Sequence, residues 1–210
     1  MKSYSTDAYT ETSERCYGIR ATLSLPGQFS LDSAARSADI HSYIALINPL
    51  CPNDSRLKVG VIRCGSPRFW ALFVWSPLPR FEGGIRREVE IELRPGRVYE
   101  FEVRFALNDH TRFELLVNSR LVWRDAFAKP VPRETYDGGG LNARFGVEAS
   151  KADDTTSIDR MRWSHVYGAI DPSCKNWRPL IGTSIDEDSN QGVALSCSAS
   201  PFSAFQVAEH

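Results

Sequence analysis

The chain has 210 residues, with 25 lysines and arginines against 26 acidic residues, a formal net charge of −1, and 42% hydrophobic residues. That composition excludes a disordered, collagen-like or membrane-helix chain and predicts a single globular domain over residues 1–210, with 1–14 as a flexible N-terminal segment. A near-zero net charge gives no general attraction to nucleic acid or to an anionic membrane, so neither is an expected partner.

The first residues, Met1-Lys2-Ser3-Tyr4-Ser5-Thr6-Asp7, are polar where an export signal carries an apolar run. A cytoplasmic protein is expected, or a secreted one if Met1 is not its natural start. The five cysteines, at 16, 51, 64, 174 and 197, include no C-x-x-C pair, and reduced thiols are the simplest reading.

Period-two alternation of apolar and polar residues dominates the chain and predicts antiparallel strands with one wet face. In chain order these fall at residues 17–25, 41–48, 57–64, 69–76 and 85–93, with one or two helical turns at 30–37. Residues 99–107 and 112–117 form a hairpin across the polar connector Asn108-Asp109-His110-Thr111, and Asn118-Ser119 turns the chain into a third strand at 120–124. Strands at 142–149 and 158–167, and two more near Val193 and Phe205, complete about a dozen. Gly, Pro and Asn separate them and no crossover helices intervene, so the expected fold class is all-β, an antiparallel sandwich with little helix.

The runs Tyr99-Glu100-Phe101-Glu102-Val103 and Phe113-Glu114-Leu115-Leu116-Val117-Asn118, with the later Phe145-Gly146-Val147-Glu148-Ala149 and Ile158-Asp159-Arg160-Met161, resemble the concanavalin A-like lectin and glucanase superfamily, including laminin-G-like and galectin-like sandwiches. Ser119 stands where such modules commonly carry Gly after Val-Asn. The resemblance implies a jelly roll that binds carbohydrate on a concave sheet face. Glu88-Val89-Glu90-Ile91-Glu92 is similar to the catalytic strand of retaining glucanases, which would make Glu88 nucleophile, Glu92 acid/base and Glu90 the assisting carboxylate. The same letters also describe a strand with a charged solvent face.

Candidate ligand contacts come from residue chemistry. Aromatic rings match the C–H faces of sugars, and Arg holds hydroxyls and carboxylates through its planar fork. Trp70 and Trp75 lie on a strand apolar on both faces. Alternation over 158–167 puts Asp159, Met161, Trp163, His165 and Tyr167 on one face, leaving Arg160 and Arg162 on the other, where a polar lattice with Arg144, Glu148, Arg104 and Glu102 is expected. Trp163 and Tyr167 join the candidate ligand contacts. Should the protein be an enzyme, His165 is the acid/base, oriented by Asp159 or Glu148. The four histidines lack metal-ligand spacing and no metal or cofactor is expected, with calcium at Asp186-Glu187-Asp188-Ser189-Asn190 as the alternative. Three readings of function follow. One is a carbohydrate-binding sandwich, the second a cytosolic lyase, isomerase or cyclase acting on a small hydrophobic metabolite, and the third a glucanase-like hydrolase.

Overall fold

A computed structural model describes residues 4–25, 29–30, 39–48, 57–64, 70–76, 85–127, 130–152, 157–158, 161–180, 184–188, 193–199 and 202–208. Within them, side chains are described for residues 12, 14–25, 42–48, 57–61, 91, 93–127, 130–146 and 163–180. In chain order the elements are β1 (Tyr4–Cys16), β2 (Gly18–Ser24), β3 (Phe29–Ser30), β4 (Asp39–Ile47), β5 (Leu57–Cys64), β6 (Trp70–Ser76), β7 (Ile85–Leu93), β8 (Val98–Ala106), β9 (Asp109–Val117) and β10 (Arg120–Ala126). There follow α1 (Arg133–Asp137), β11 (Leu141–Ala152), β12 (Ser157–Ile158), β13 (Met161–Ala169), β14 (Trp177–Pro179), β15 (Ser184–Asp188), β16 (Val193–Ala199) and β17 (Phe202–Ala208).

Two antiparallel sheets form a sandwich. A seven-stranded sheet has the order β15-β1-β11-β4-β5-β6-β7, and an eight-stranded sheet the order β10-β9-β8-β2-β13-β17-β16, with β14 added against β13. Alternation explains why they stack. Ile19, Ala21 and Leu23 of β2, Phe101, Val103 and Phe105 of β8, and Phe113, Leu115 and Val117 of β9 share one core with Ile44 and Leu46 of β4, Val59 and Val61 of β5, and Phe145 of β11. Each of these side chains other than that of Ala21 contributes about 1.5–3 kcal/mol when fully withdrawn from water. Among the described residues a polar contact crosses this core, where the indole N–H of Trp163 donates to Ser42 Oγ at 2.8 Å.

The structure departs from the sequence expectations at definite points. Residues 4–14 belong to β1, which pairs with β11 on one side and β15 on the other, so the N-terminal segment is an interior strand. The hairpin between β8 and β9 turns at Leu107-Asn108, and Asp109 opens the next strand, its carboxylate accepting from Thr111 N at 2.8 Å and Thr111 Oγ1 at 2.5 Å. A short helix at Arg133–Asp137 is not among the sequence expectations; of the helical turns expected at 30–37, Ser30 belongs to β3 and 31–37 lie outside the described residues. Asp186, Glu187 and Asp188 belong to a strand paired with β1 rather than to a loop.

The largest correction concerns β13. A bulge between Ser164 and Tyr167, with His165 at φ +51°, adds a residue to the strand and reverses its facing. Trp163 therefore points into the core beside Phe101, whereas Tyr167 pairs with Arg20 on the outer face. Among the described residues Cys16 and Cys174 are free thiols, and burial pushes both up to about 12, so they stay protonated at neutral pH.

Candidate functional site

The face of the seven-stranded sheet turned away from the core is assembled by register across strands far apart in sequence. One row runs Glu11, Arg144, Ala45, Lys58, Trp75, Arg86. In the adjacent row Tyr43 lies between Gly146 and Gly60. A Cβ on Gly60 would fall 2.0 Å from Ser42 O, so only glycine allows β4 and β5 to approach this closely. With no side chain on either flank, the Tyr43 ring has room beneath Lys58, whose ammonium lies 4.4 Å from the ring centroid.

This face is covered at its centre. Tyr43 and Ala45 are 0% exposed and Lys58 is 6% exposed. Lysine is almost never buried to this extent without compensation, and a desolvated cation over a tyrosine face gains about 2 kcal/mol. Lys58 and Arg144 flank Ala45 at two strand spacings, roughly 10 Å between main chains. Lysine and arginine are the side chains that take carbonyl, carboxylate or hydroxyl oxygens.

The eight-stranded sheet carries a second polar cluster on its own outer face. Arg104 holds Glu114 through Nε at 3.0 Å and Nη2 at 2.9 Å and reaches Glu102 through Nη1 at 2.7 Å, while Arg124 takes the other oxygen of Glu114. Burial pushes the Glu102 carboxyl above its ordinary value, outweighing Arg104 and Arg20. Burial acts on Glu114 in the same direction, but hydrogen bonds from Arg124 and Arg104 overcome it and hold that carboxyl below its ordinary value. Beside this cluster Arg20 lies against Trp177 and Tyr167.

The structure divides the residues singled out in the sequence between these places. Arg144 is in the covered row, and Glu148 on β11 is in register with His41. Trp75 is the register partner of Lys58, and Trp70, an odd number of positions away on β6, is opposite Leu93. Arg104 and Tyr167 are on the eight-stranded sheet, so the expected lattice with Arg144 and Glu148 is split by the core. Arg162 on β13 pairs with Ser24. Trp163 is 3% exposed, a core residue rather than a ligand contact. His165 is exposed on the eight-stranded sheet, 3.3 Å from Ser164 Oγ, and Glu148 belongs to the other sheet, so the two are not brought together. Asp159 lies outside the described residues.

Sequence reading passed over Lys58 and Tyr43. The signal was present, since Lys58 is a charge set among apolar neighbours in Leu57-Lys58-Val59-Gly60-Val61, directly beside Gly60 in the adjacent row.

No protein-family model matches this chain, and no curated protein matches it. Solved structures do share its fold end to end. Scytalido-glutamic peptidase with a transition state analog inhibitor has a TM-score of 0.63 at 12% identity, and the same enzyme with a peptide-based analog has 0.61 at 12%, each covering 99% of both chains. SCP-B, a member of the eqolisin family of peptidases in a complex with the tripeptide Ala-Ile-His, has a TM-score of 0.59 at 12% identity over 99% of both chains. At this identity the likeness establishes the two-sheet fold.

Proposed function

We propose that this chain is a ligand-binding β-sandwich that holds a peptide on the covered face of its seven-stranded sheet, with Lys58 and Arg144 engaging carbonyl and carboxylate oxygens. The observation that carries this reading is the buried ammonium of Lys58 over Tyr43, in register with Arg144 across Ala45. A peptide offers carbonyls along its length and a carboxylate at its end, the acceptors that lysine and arginine take. Whole-length likeness to peptidases solved with peptide ligands supports a peptide over other oxygen-rich ligands.

Carbohydrate is the second reading, favoured by Trp75 at the register position beside Lys58, since sugars combine C–H contact on a ring with hydroxyl contact to cations. The acid/base reading built on His165 and Glu148 gains no support from residues on different sheets. The glucanase reading rests on Glu88, Glu90 and Glu92, which lie on β7 at the edge of the sheet.

Calorimetric titration of the full chain with Ala-Ile-His and with neutral oligosaccharides tests the proposal. Tripeptide binding should weaken about tenfold or more in Lys58→Met, which keeps the stem and removes the charge. Oligosaccharide binding alone would transfer the site to the second reading, and binding of neither, or tripeptide binding indifferent to Lys58→Met, would overturn the assignment.

A further inference from the structure

Arg20 lies in the middle of β2 on the outer face of the eight-stranded sheet, opposite Glu102 of β8 and Tyr167 of β13. Its guanidinium carbon is 4.6 Å from the Trp177 ring centroid and 5.8 Å from that of Tyr167. Both rings are held independently of Arg20. The bulge at His165 turns Tyr167 to this face, while pairing of Trp177 with Ala169 and donation of its indole N–H to Cys174 O at 2.9 Å fix the other.

A guanidinium whose faces meet rings keeps its N–H edge for acceptors. Among the described residues that edge makes no hydrogen bond or ion pair, although the carboxylate of Glu102 is near enough to feel its charge. Glu102 accepts from Arg104 and Glu114 from Arg104 and Arg124, while Glu100, one row along, faces Ser119 Oγ at 3.5 Å. A half-buried, preoriented fork with open donors and aromatic walls matches a planar carboxylate carried on an apolar or aromatic body, taken bidentately by Arg20 while the body lies along Trp177. From this arrangement we infer that Arg20, Trp177 and Tyr167 form a second binding site, for an apolar or aromatic carboxylate, separate from the row containing Lys58.

Calorimetric titration of the full chain with benzoate tests this, with benzamide and inorganic phosphate as comparison ligands. Benzoate should bind saturably and outcompete both, and its affinity should fall about tenfold or more in Arg20→Gln with the loss of a charge-assisted bidentate pair. Arg20→Lys, which keeps the charge without the fork, should bind more weakly than the parent and serves as the deciding variant if Arg20→Gln does not fold. In a Lys58→Met background, Arg20→Gln should still weaken benzoate about tenfold or more, which separates this site from the peptide-binding row. Absence of benzoate binding, equal binding of benzamide, tighter binding of phosphate, or parent-like affinity in both Arg20 variants would each overturn the inference.

Discussion

Asn118 and Ser119 carry the turn between β9 and β10 with φ values of 50° and 63°, the doubly left-handed backbone of a type I′ hairpin turn. Asn118 suits this position, since its side-chain oxygen accepts from Glu100 N at 2.9 Å. Ser119 has no such compensation, and left-handed backbone costs an ordinary L-residue about 1–2 kcal/mol. Ser119→Gly should therefore raise stability by about 1 kcal/mol in chemical denaturation. Unchanged or lower stability would show that the 3.5 Å contact to Glu100 matters more than its length suggests. His165, at φ +51°, shows what alternation leaves unread at this scale. Period-two patterning assumes an unbroken strand, and nothing in Trp163-Ser164-His165-Val166-Tyr167 announces the extra residue that sends Trp163 and Tyr167 to opposite faces.

At the scale of elements, β8, β9 and β10 are joined by Glu114 as much as by their ladders. Arg104 of β8 and Arg124 of β10 meet on this one carboxylate, which is 5% exposed. Glu114→Ala would leave two donors of the half-buried Arg104 guanidinium without their acceptor and should cost about 2–3 kcal/mol, read by thermal or chemical unfolding. A loss within about 0.5 kcal/mol would mean water replaces the carboxylate without penalty. Because the folded carboxyl is held below its ordinary value of 4.5, its contribution is complete above that pH and is lost as pH falls through the depressed value. Glu102, held above its ordinary value, acts in the opposite sense and loses stability as pH rises through its folded value. The hairpin from β8 to β10 was legible because its strands are consecutive and alternate cleanly. The docking of β2 between β8 and β13 was not, since that register is chosen by packing between distant segments. β10 is an edge strand, and its exposed Arg120 and Arg124, with the bulge between Leu121 and Trp123, disfavour edge-to-edge pairing with another chain.

For the whole molecule, the antiparallel sandwich could be read from alternation and turn residues, because burying one face of each strand leaves few other arrangements. The location of the candidate site could not. Glu11, Arg144, Ala45, Lys58 and Trp75 come from five strands spread over the chain, and only sheet order and register put them in one row. The strand that supplies Glu11 was passed over because Tyr-Ser-Thr-Asp-Ala-Tyr-Thr-Glu-Thr-Ser-Glu-Arg offers no apolar alternation, although its β-branched and aromatic residues suit a strand paired on both sides. The separation of the two polar faces by a shared core gives the account its main consequence, that peptide should be held on the seven-stranded sheet alone. Amide hydrogen exchange of the full chain, with and without Ala-Ile-His, measures this most directly. Slowed exchange over 43–48, 57–61 and 141–146 is the predicted result. Slowing confined to 98–126 and 163–169, or no slowing at a concentration where the tripeptide is bound, would contradict it.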